Sequence, residues 1–260
     1  MIKLTIVTIT YNAADVLQRT LESAIAQTYR DVEHIIVDGA STDQTLTMAF
    51  DYKQRSDQQH NGHTVSIVSE PDHGIYDAMN KGLKLSTGDY IVFMNAGDCF
   101  HSNDTLGAIA AQAEAEPRPA VVYGDTDVVG NEGQFLYHRR LAPPEHLTWR
   151  SFRQGMLVCH QAFYARTDIA KGTPYDLRYR FSADVDWCIR VMKEAERRQL
   201  PLANTRQTVA HYLEEGQTTR NHKASLRERF DVMRRHYGLL TTLAMHAWFV
   251  VRNLKPARQR

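Results

Sequence analysis

What most constrains this chain is an alternation over its first hundred residues: short runs rich in Val, Ile and Thr, each followed by a segment with apolar residues at helical spacing. KLTIVTITYN reads as the first strand. ADVLQRTLESAIAQT reads as a helix with Val16, Leu17, Leu21, Ala24 and Ile25 on one face, capped by Asn12 or Asp15. VEHIIVDG is the second strand, and STDQ then offers Ser41 and Gln44 as a capping box for a helix from Thr42 to about Tyr52. Past a polar loop, TVSIVSE is a third strand, GIYDAMNKGLKLSTG a helix stopping near Gly88, and DYIVFMN a fourth strand. Such a βαβ series builds a mainly parallel sheet with helices packed on it, so the expected fold class is α/β.

The second half is less regular. AVVYGDTDVV and part of FRQGMLVCHQAFYAR read as strands. FSADVDWCIRVMKEAERRQ reads as a helix with Val185, Cys188, Ile189, Met192 and Ala195 facing inward, and the chain from about Gln217 onward as Arg-rich helix. With 43% hydrophobic residues in 260, the chain can bury one full core, and no linker divides it. A net charge of +1 leaves no general footprint for nucleic acid, and none is expected as a partner. Cys99, Cys159 and Cys188 are odd in number and lack ligand spacing, which argues against a disulfide framework or zinc ribbon and fits a reducing cytoplasm. The first residues enter a strand with no basic leader, predicting no signal peptide. The apolar run Leu239 to Val251 falls short of the roughly 20 residues a membrane span needs.

Each predicted strand ends in polar residues: Asn12, Asp38, Glu70 with Asp72, and Asn95 with Asp98. In open α/β sheets that edge binds ligands. The sequence has neither a dinucleotide glycine fingerprint nor a P-loop lysine, so hydride transfer and nucleotide hydrolysis lose ground. An acidic ligand edge suits a divalent cation holding a diphosphate. NAGD, residues 95 to 98, is then a metal-ligand turn, although the same residues also compose ordinary turns.

TIVTITYN, IIVDGASTDQT, SEPDHGIYDAMNKGLKLSTGDYIVFMNAGD and FSADVDW resemble, in order and spacing, the motifs of glycosyltransferase family 2, inverting enzymes of GT-A fold. The resemblance covers roughly residues 2 to 215 and is nearest to bacterial enzymes of exopolysaccharide, O-antigen or capsule synthesis. It implies a GT-A type Rossmann-like sheet over residues 1–215 as the catalytic domain, with a helical C-terminal extension over 216–260. It also implies a nucleotide-diphosphate sugar donor, UDP-linked by family habit, with Mn2+ or Mg2+ as cofactor and one carboxylate as base.

Carried onto this chain, the resemblance makes Asp98 the metal contact beside Asn95. It assigns the nucleotide sugar to Thr10, Asn12, Asp38, Asp72, Asn80, Lys81 and Asn95. Asp184 becomes the base, near a helix N-terminus whose dipole favours the ionised carboxylate. His160 and Gln161 fall on the acceptor side, and His211 is a late histidine that completes a metal shell. Gly39, Gly97 and Ala183 stand where relatives often carry carboxylates. Plainer readings stay open: Asp38 bonding its own backbone, Asn12 as a helix cap, His160 as a satisfied core histidine, Asp125 as a strand cap, and Asp184 and Asp186 as acidic first-turn residues.

The expected activity is metal-dependent, inverting transfer of a sugar to a glycan or polyprenyl-diphosphate-linked acceptor. Two rivals are a nucleotidyltransferase, which would normally show a Gly- and Arg-rich phosphate loop, and a non-catalytic sugar-nucleotide-binding or assembly protein. The tail, with Leu239, Leu240, Leu243, Trp248 and Phe249 beside Arg252, Lys255, Arg258 and Arg260, suits three roles. It could be a basic helix resting on the inner face of the cytoplasmic membrane, a helix packed on the core, or a homodimer contact.

Overall fold

The computed structural model describes residues 1–214 and 222–254, and the side chains of all of these except 222, 223 and 252–254. The early elements are β1 (Leu4–Thr10), α1 (Ala14–Ile25), β2 (Val32–Asp38), α2 (Thr45–Gln59), β3 (His63–Ser69), α3 (Ile75–Leu85) and β4 (Tyr90–Phe93). β1 is buried at every position, as a central parallel strand covered on both faces must be. It pairs in parallel with β2 on one side and β4 on the other, and β3 adds to β2. The chain order therefore reverses between β1 and β4, and in open α/β sheets the crevice that takes a ligand lies outside the carboxyl ends of strands at such a point.

Beyond β4 the sheet becomes mixed. The remaining strands are β5 (Cys99–Phe100), β6 (Val121–Val129), β7 (Phe135–His138), β8 (Phe163–Arg166) and β9 (Leu202–Leu213). Among the described residues the sheet order is β3-β2-β1-β4-β8-β6-β9-β5, with β7 on β6. β8 runs antiparallel to both β4 and β6, while β9 returns parallel to β6. The expected α/β sheet flanked by helices is present, with β1 to β4 all parallel in the segment that alternates in sequence and antiparallel pairs entering beyond it.

Two caps differ from expectation. The N-cap of α1 is Ala13, with no side-chain cap bond. Asn12 instead sits at φ 46° and accepts the Thr42 amide at 2.9 Å, tying the β1 exit to the β2 exit. α2 starts at Thr45, because the Ser41 hydroxyl is drawn to the Asp38 carboxylate and no capping box forms.

The later helices are α4 (Thr105–Ala113), α5 (Thr167–Gly172), α6 (Ala183–Arg197), α7 (His222–Tyr237) and α8 (Leu239–Leu254). The inward face expected for α6 is buried. Asp186 is no surface decoration: it lies buried, bonded by Arg190 at 2.7 Å and by His236 of α7 at 2.8 Å. Val232 and Met233 bury α7 against the body, and Glu228 accepts the backbone amides of Arg180, Phe181 and Ser182 just ahead of α6. α8 leaves Leu239, Leu240, Leu243, Trp248, Val250 and Val251 exposed. The side chains of Arg252, Lys255, Arg258 and Arg260, and the Gly216 loop, lie outside the described residues. No described helix is long and apolar enough to cross a membrane.

Candidate functional site

The turn after β4 places Asn95 and Asp98 at the crevice. Asp98 is 5% exposed. Its Oδ2 accepts Gln161 Nε2 at 2.6 Å and its Oδ1 accepts the Leu213 amide at 3.0 Å. Burial pushes its carboxyl above the usual range, against the opposing pull of those two donors, His160 and Arg19. Asn95 presents a buried Oδ1 with no hydrogen-bond partner among the described residues, an arrangement that costs free energy unless something else meets it. Thr10, ending the neighbouring strand β1, carries a second buried oxygen of this kind.

Asp184 lies in the first turn of α6. Its Oδ1 accepts the Tyr76 hydroxyl at 3.2 Å and the Val185 amide at 2.9 Å, and its Oδ2 is 3.4 Å from His160 Nδ1. Asn95 Nδ2 stands 3.1 Å from His160 Nε2, so the ring bridges the Asn95 amide and the Asp184 carboxylate. Burial works to raise the Asp184 carboxyl, but the His160 bond and charge, Arg229 and the Val185 amide outweigh it and hold the group below its ordinary value. Asp184 is thereby kept ionised at neutral pH. Asp184, His160, Asn95, Gln161 and Asp98 thus form one connected cluster.

Tyr76 and Tyr212 belong to this cluster too, and sequence reading passed over both. Burial pushes each phenol up; Asp184 adds to it for Tyr76, and Asp98, Cys159 and Asp184 add to it for Tyr212. Tyr76 lies inside a quoted motif, where only the polar residues of the helix were singled out. Tyr212 would have emerged from period-2 alternation had β9 been recognised.

Several other candidates spend their polar groups on the protein itself. The buried Asp38 carboxylate accepts the Ser41 amide and hydroxyl and the Ser69 hydroxyl, which matches the plainer reading of that residue. Asn80 exchanges two bonds with the Tyr175 backbone, at 3.0 and 2.8 Å. Lys81 donates to Pro71 O at 2.7 Å and pairs with Glu70 at 3.0 Å. Asp72 accepts the Gly74 amide at 2.8 Å and crowds Gly39, where an added Cβ would lie 2.5 Å from its Oδ2. Asp125 accepts the amide of its neighbour Thr126.

The two metal candidates are not brought together. In β9 successive side chains point to opposite faces, so Tyr212 shares a face with Asp98 while His211 faces the other way. His211 Nε2 instead lies 2.8 Å from His101 Nδ1, with Asp127 close by. Burial, then His101, holds the His211 imidazole below its usual value, against the pull of Asp127.

Residues 5–171 match the family model described as glycosyl transferase family 2. A PGL/p-HBAD biosynthesis glycosyltransferase of Mycobacterium bovis (strain BCG / Pasteur 1173P2) is 37% identical over 182 residues, covering 70% of this chain and 66% of that protein. An uncharacterized glycosyltransferase of Mycobacterium tuberculosis (strain ATCC 25618 / H37Rv) is 33% identical over 197 residues, covering 71% and 67%. Among solved structures, S. aureus TarS 1-349 in complex with UDP-GlcNAc superposes with a TM-score of 0.70 at 19% identity, covering 98% of this chain and 74% of that one. The mannosyltransferase PcManGT of Pyrobaculum calidifontis, in complex with GDP-Man and Mn2+, gives 0.63 at 17%, covering 98% and 77%. Both likenesses identify the GT-A sheet. The aligned segment spans 66% of the length of the first of these relatives.

Proposed function

The chain belongs to glycosyltransferase family 2, and on that premise we propose that it transfers one sugar, with inversion, from a nucleotide diphosphate to a hydroxyl of a lipid-linked or growing glycan. The observation that carries this reading is the Asp184–His160–Asn95 chain at the carboxyl end of β4, with two orphaned oxygens beside it. Asp184 is ionised, held in place by Tyr76 and the Val185 amide, and suited to take the acceptor hydroxyl's proton as it attacks the anomeric carbon. His160 orients Asp184 and, with Gln161, walls the acceptor side. Thr10 Oγ1 and Asn95 Oδ1 have no hydrogen-bond partner among the described residues and suit the polar groups of a donor.

A divalent ion fits the same edge: Asn95 Oδ1 is a free oxygen ligand, and the Asp98 carboxylate is a charge whose burial a cation would offset. Asp98 and Asn95 would hold it, without His211. When bound, such an ion neutralises charge building on the departing diphosphate. UDP is the favoured donor nucleotide, since TarS is solved with UDP-GlcNAc; PcManGT, solved with GDP-Man and Mn2+, keeps GDP in the test and favours Mn2+ over Mg2+. The Mycobacterium bovis relative, named for PGL/p-HBAD biosynthesis, supports a glycoconjugate acceptor.

In this reading residues 1–215 carry the chemistry and 216–260 form an extension. The apolar face of α8, followed by Arg252, Lys255, Arg258 and Arg260, rests on the inner face of the cytoplasmic membrane. A homodimer through α8 is the alternative use of that face.

The test is a thermal-shift and donor-hydrolysis screen of UDP-, GDP- and dTDP-sugars with Mn2+ or Mg2+. One donor should stabilise the protein and be hydrolysed slowly. Asp98→Ala should lose both effects, whereas Asp184→Asn should keep binding and lose hydrolysis by roughly 10²–10⁴-fold. Absence of any binding donor would sink the reading.

A further inference from the structure

We propose that His101, Asp127 and His211 form a transition-metal site separate from the diphosphate edge, on the other face of the sheet. One ligand atom from each lies within 4.8 Å of the others. Three neighbouring strands supply them. Asp127 of β6 is in register with His211 of β9, His211 is paired with Cys99 of β5, and His101 follows directly after β5. Asp127 is buried, whereas His101 is exposed and leaves an entry path from solvent.

The donor set is two imidazoles and one carboxylate. That combination suits zinc and its late first-row neighbours, whereas Mg2+ and Ca2+ favour all-oxygen sites. His101 Nδ1 and His211 Nε2 now stand 2.8 Å apart. A tetrahedral ion with Zn–N bonds of about 2.05 Å needs roughly 3.3 Å between them, so the rings must part by about half an ångström. Asp127 is already oriented, since His138 Nδ1 lies 2.8 Å from its Oδ1, the outer-shell support that metal carboxylates usually have. Arg19 is the nearby charge that opposes a cation, and its guanidinium is turned to Cys99 Sγ and Gly130 O. A bound ion would staple β5, β6 and β9 two residues before Leu213, whose amide holds Asp98.

The experiment uses the untagged full chain, stripped with chelator and titrated with Co2+ and Zn2+. Wild type should bind one ion per chain at this site, show the visible d–d absorption of a tetrahedral Co2+ complex, and melt at higher temperature with zinc. His101→Ala changes an exposed side chain and should melt like wild type without metal, yet lose the absorption and the zinc shift, with affinity at least tenfold weaker. His211→Gln and Asp127→Asn should weaken it likewise. Asp98→Asn should leave Co2+ binding intact, which separates this site from the diphosphate edge whether or not a donor is found there. Equal binding by wild type and a His101→Ala/His211→Gln double variant would overturn the proposal. So would absence of binding, or its loss in Asp98→Asn.

Discussion

Nδ1 of His160 lies 3.4 Å from Oδ2 of Asp184, across the seam between the first turn of α6 and the segment that leads into β8. The ring therefore sets both the position and the acidity of the carboxylate. Its bond and charge are the largest influences lowering the Asp184 carboxyl, against the burial that raises it.

Removing that ring should move the pH profile. In the proposed mechanism transfer needs ionised Asp184, so a depressed carboxyl keeps the rate full through the usual carboxylate range, and activity falls only as pH drops through the lowered value. In His160→Gln the acidic limb of kcat/KM should shift upward, because the largest influences lowering the carboxyl are gone. An unmoved limb would show that another group sets it.

Asp98 makes the opposite prediction for stability. Its carboxyl is raised in the folded chain, so its contribution to stability is present below the ordinary value of 3.8 and is lost as pH rises through the raised one. At neutral pH the free protein carries a poorly solvated charge. Asp98→Asn, with Gln161 flipped to accept from the new amide, should stabilise the ligand-free protein by ~0.5–2 kcal/mol while abolishing metal-dependent donor binding. Urea unfolding at pH 7 beside a donor titration checks both halves.

His34 supplies an acid-sensitive element far from the chemistry. It is fully buried between the Thr8 hydroxyl at 2.9 Å and the Tyr52 hydroxyl at 2.6 Å, and burial, then His63, lowers it to about 3. Because the folded value lies below the ordinary 6.5, the stabilisation is complete above 6.5 and is lost as pH falls toward about 3, at about 1.4 kcal/mol per pH unit. The slope of unfolding free energy against pH over that window should be flatter by about this amount in His34→Gln. Parallel slopes would refute it.

Gly97 stands where relatives often carry a carboxylate, and restoring one should do harm. Its φ of 100° disfavours any side chain, and an added Cβ would lie 2.8 Å from Leu213 Cδ2. Gly97→Asp should cost about 2–4 kcal/mol from backbone strain and overpacking, read as a lowered urea midpoint. It should also fail to improve metal-dependent donor binding.

The first half of the fold was legible because β1, β2 and β4 are short runs dominated by Val, Ile and other β-formers that stop at polar residues and alternate with helical patterns, as the strands of a parallel sheet do. The same endings exposed Thr10, Asn95 and Asp98. β9 escaped notice because its middle is Asn-Thr-Arg-Gln-Thr, with Arg206 at φ 57° and a register shift against β6. With β9 unseen, Tyr212 and the grouping of His211 with His101 and Asp127 were unseen too, since those three have no ligand spacing along the chain. Asn80 and Lys81 show a different limit: spacing put them on a polar helix face, but it could not tell a donor sugar from the Tyr175 and Pro71 backbones as the partner.

Glu228 receives three amide protons at the mouth of α6, while Ser182, the local cap, makes no side-chain cap bond of its own. The helix bearing Asp184 is thus fastened from a point 44 residues further along, on a segment the ribosome delivers after every strand of the sheet. A chain that ended before Glu228 would leave the amides of Arg180, Phe181 and Ser182 without that acceptor, and the entry to α6 without that carboxylate anchor from α7.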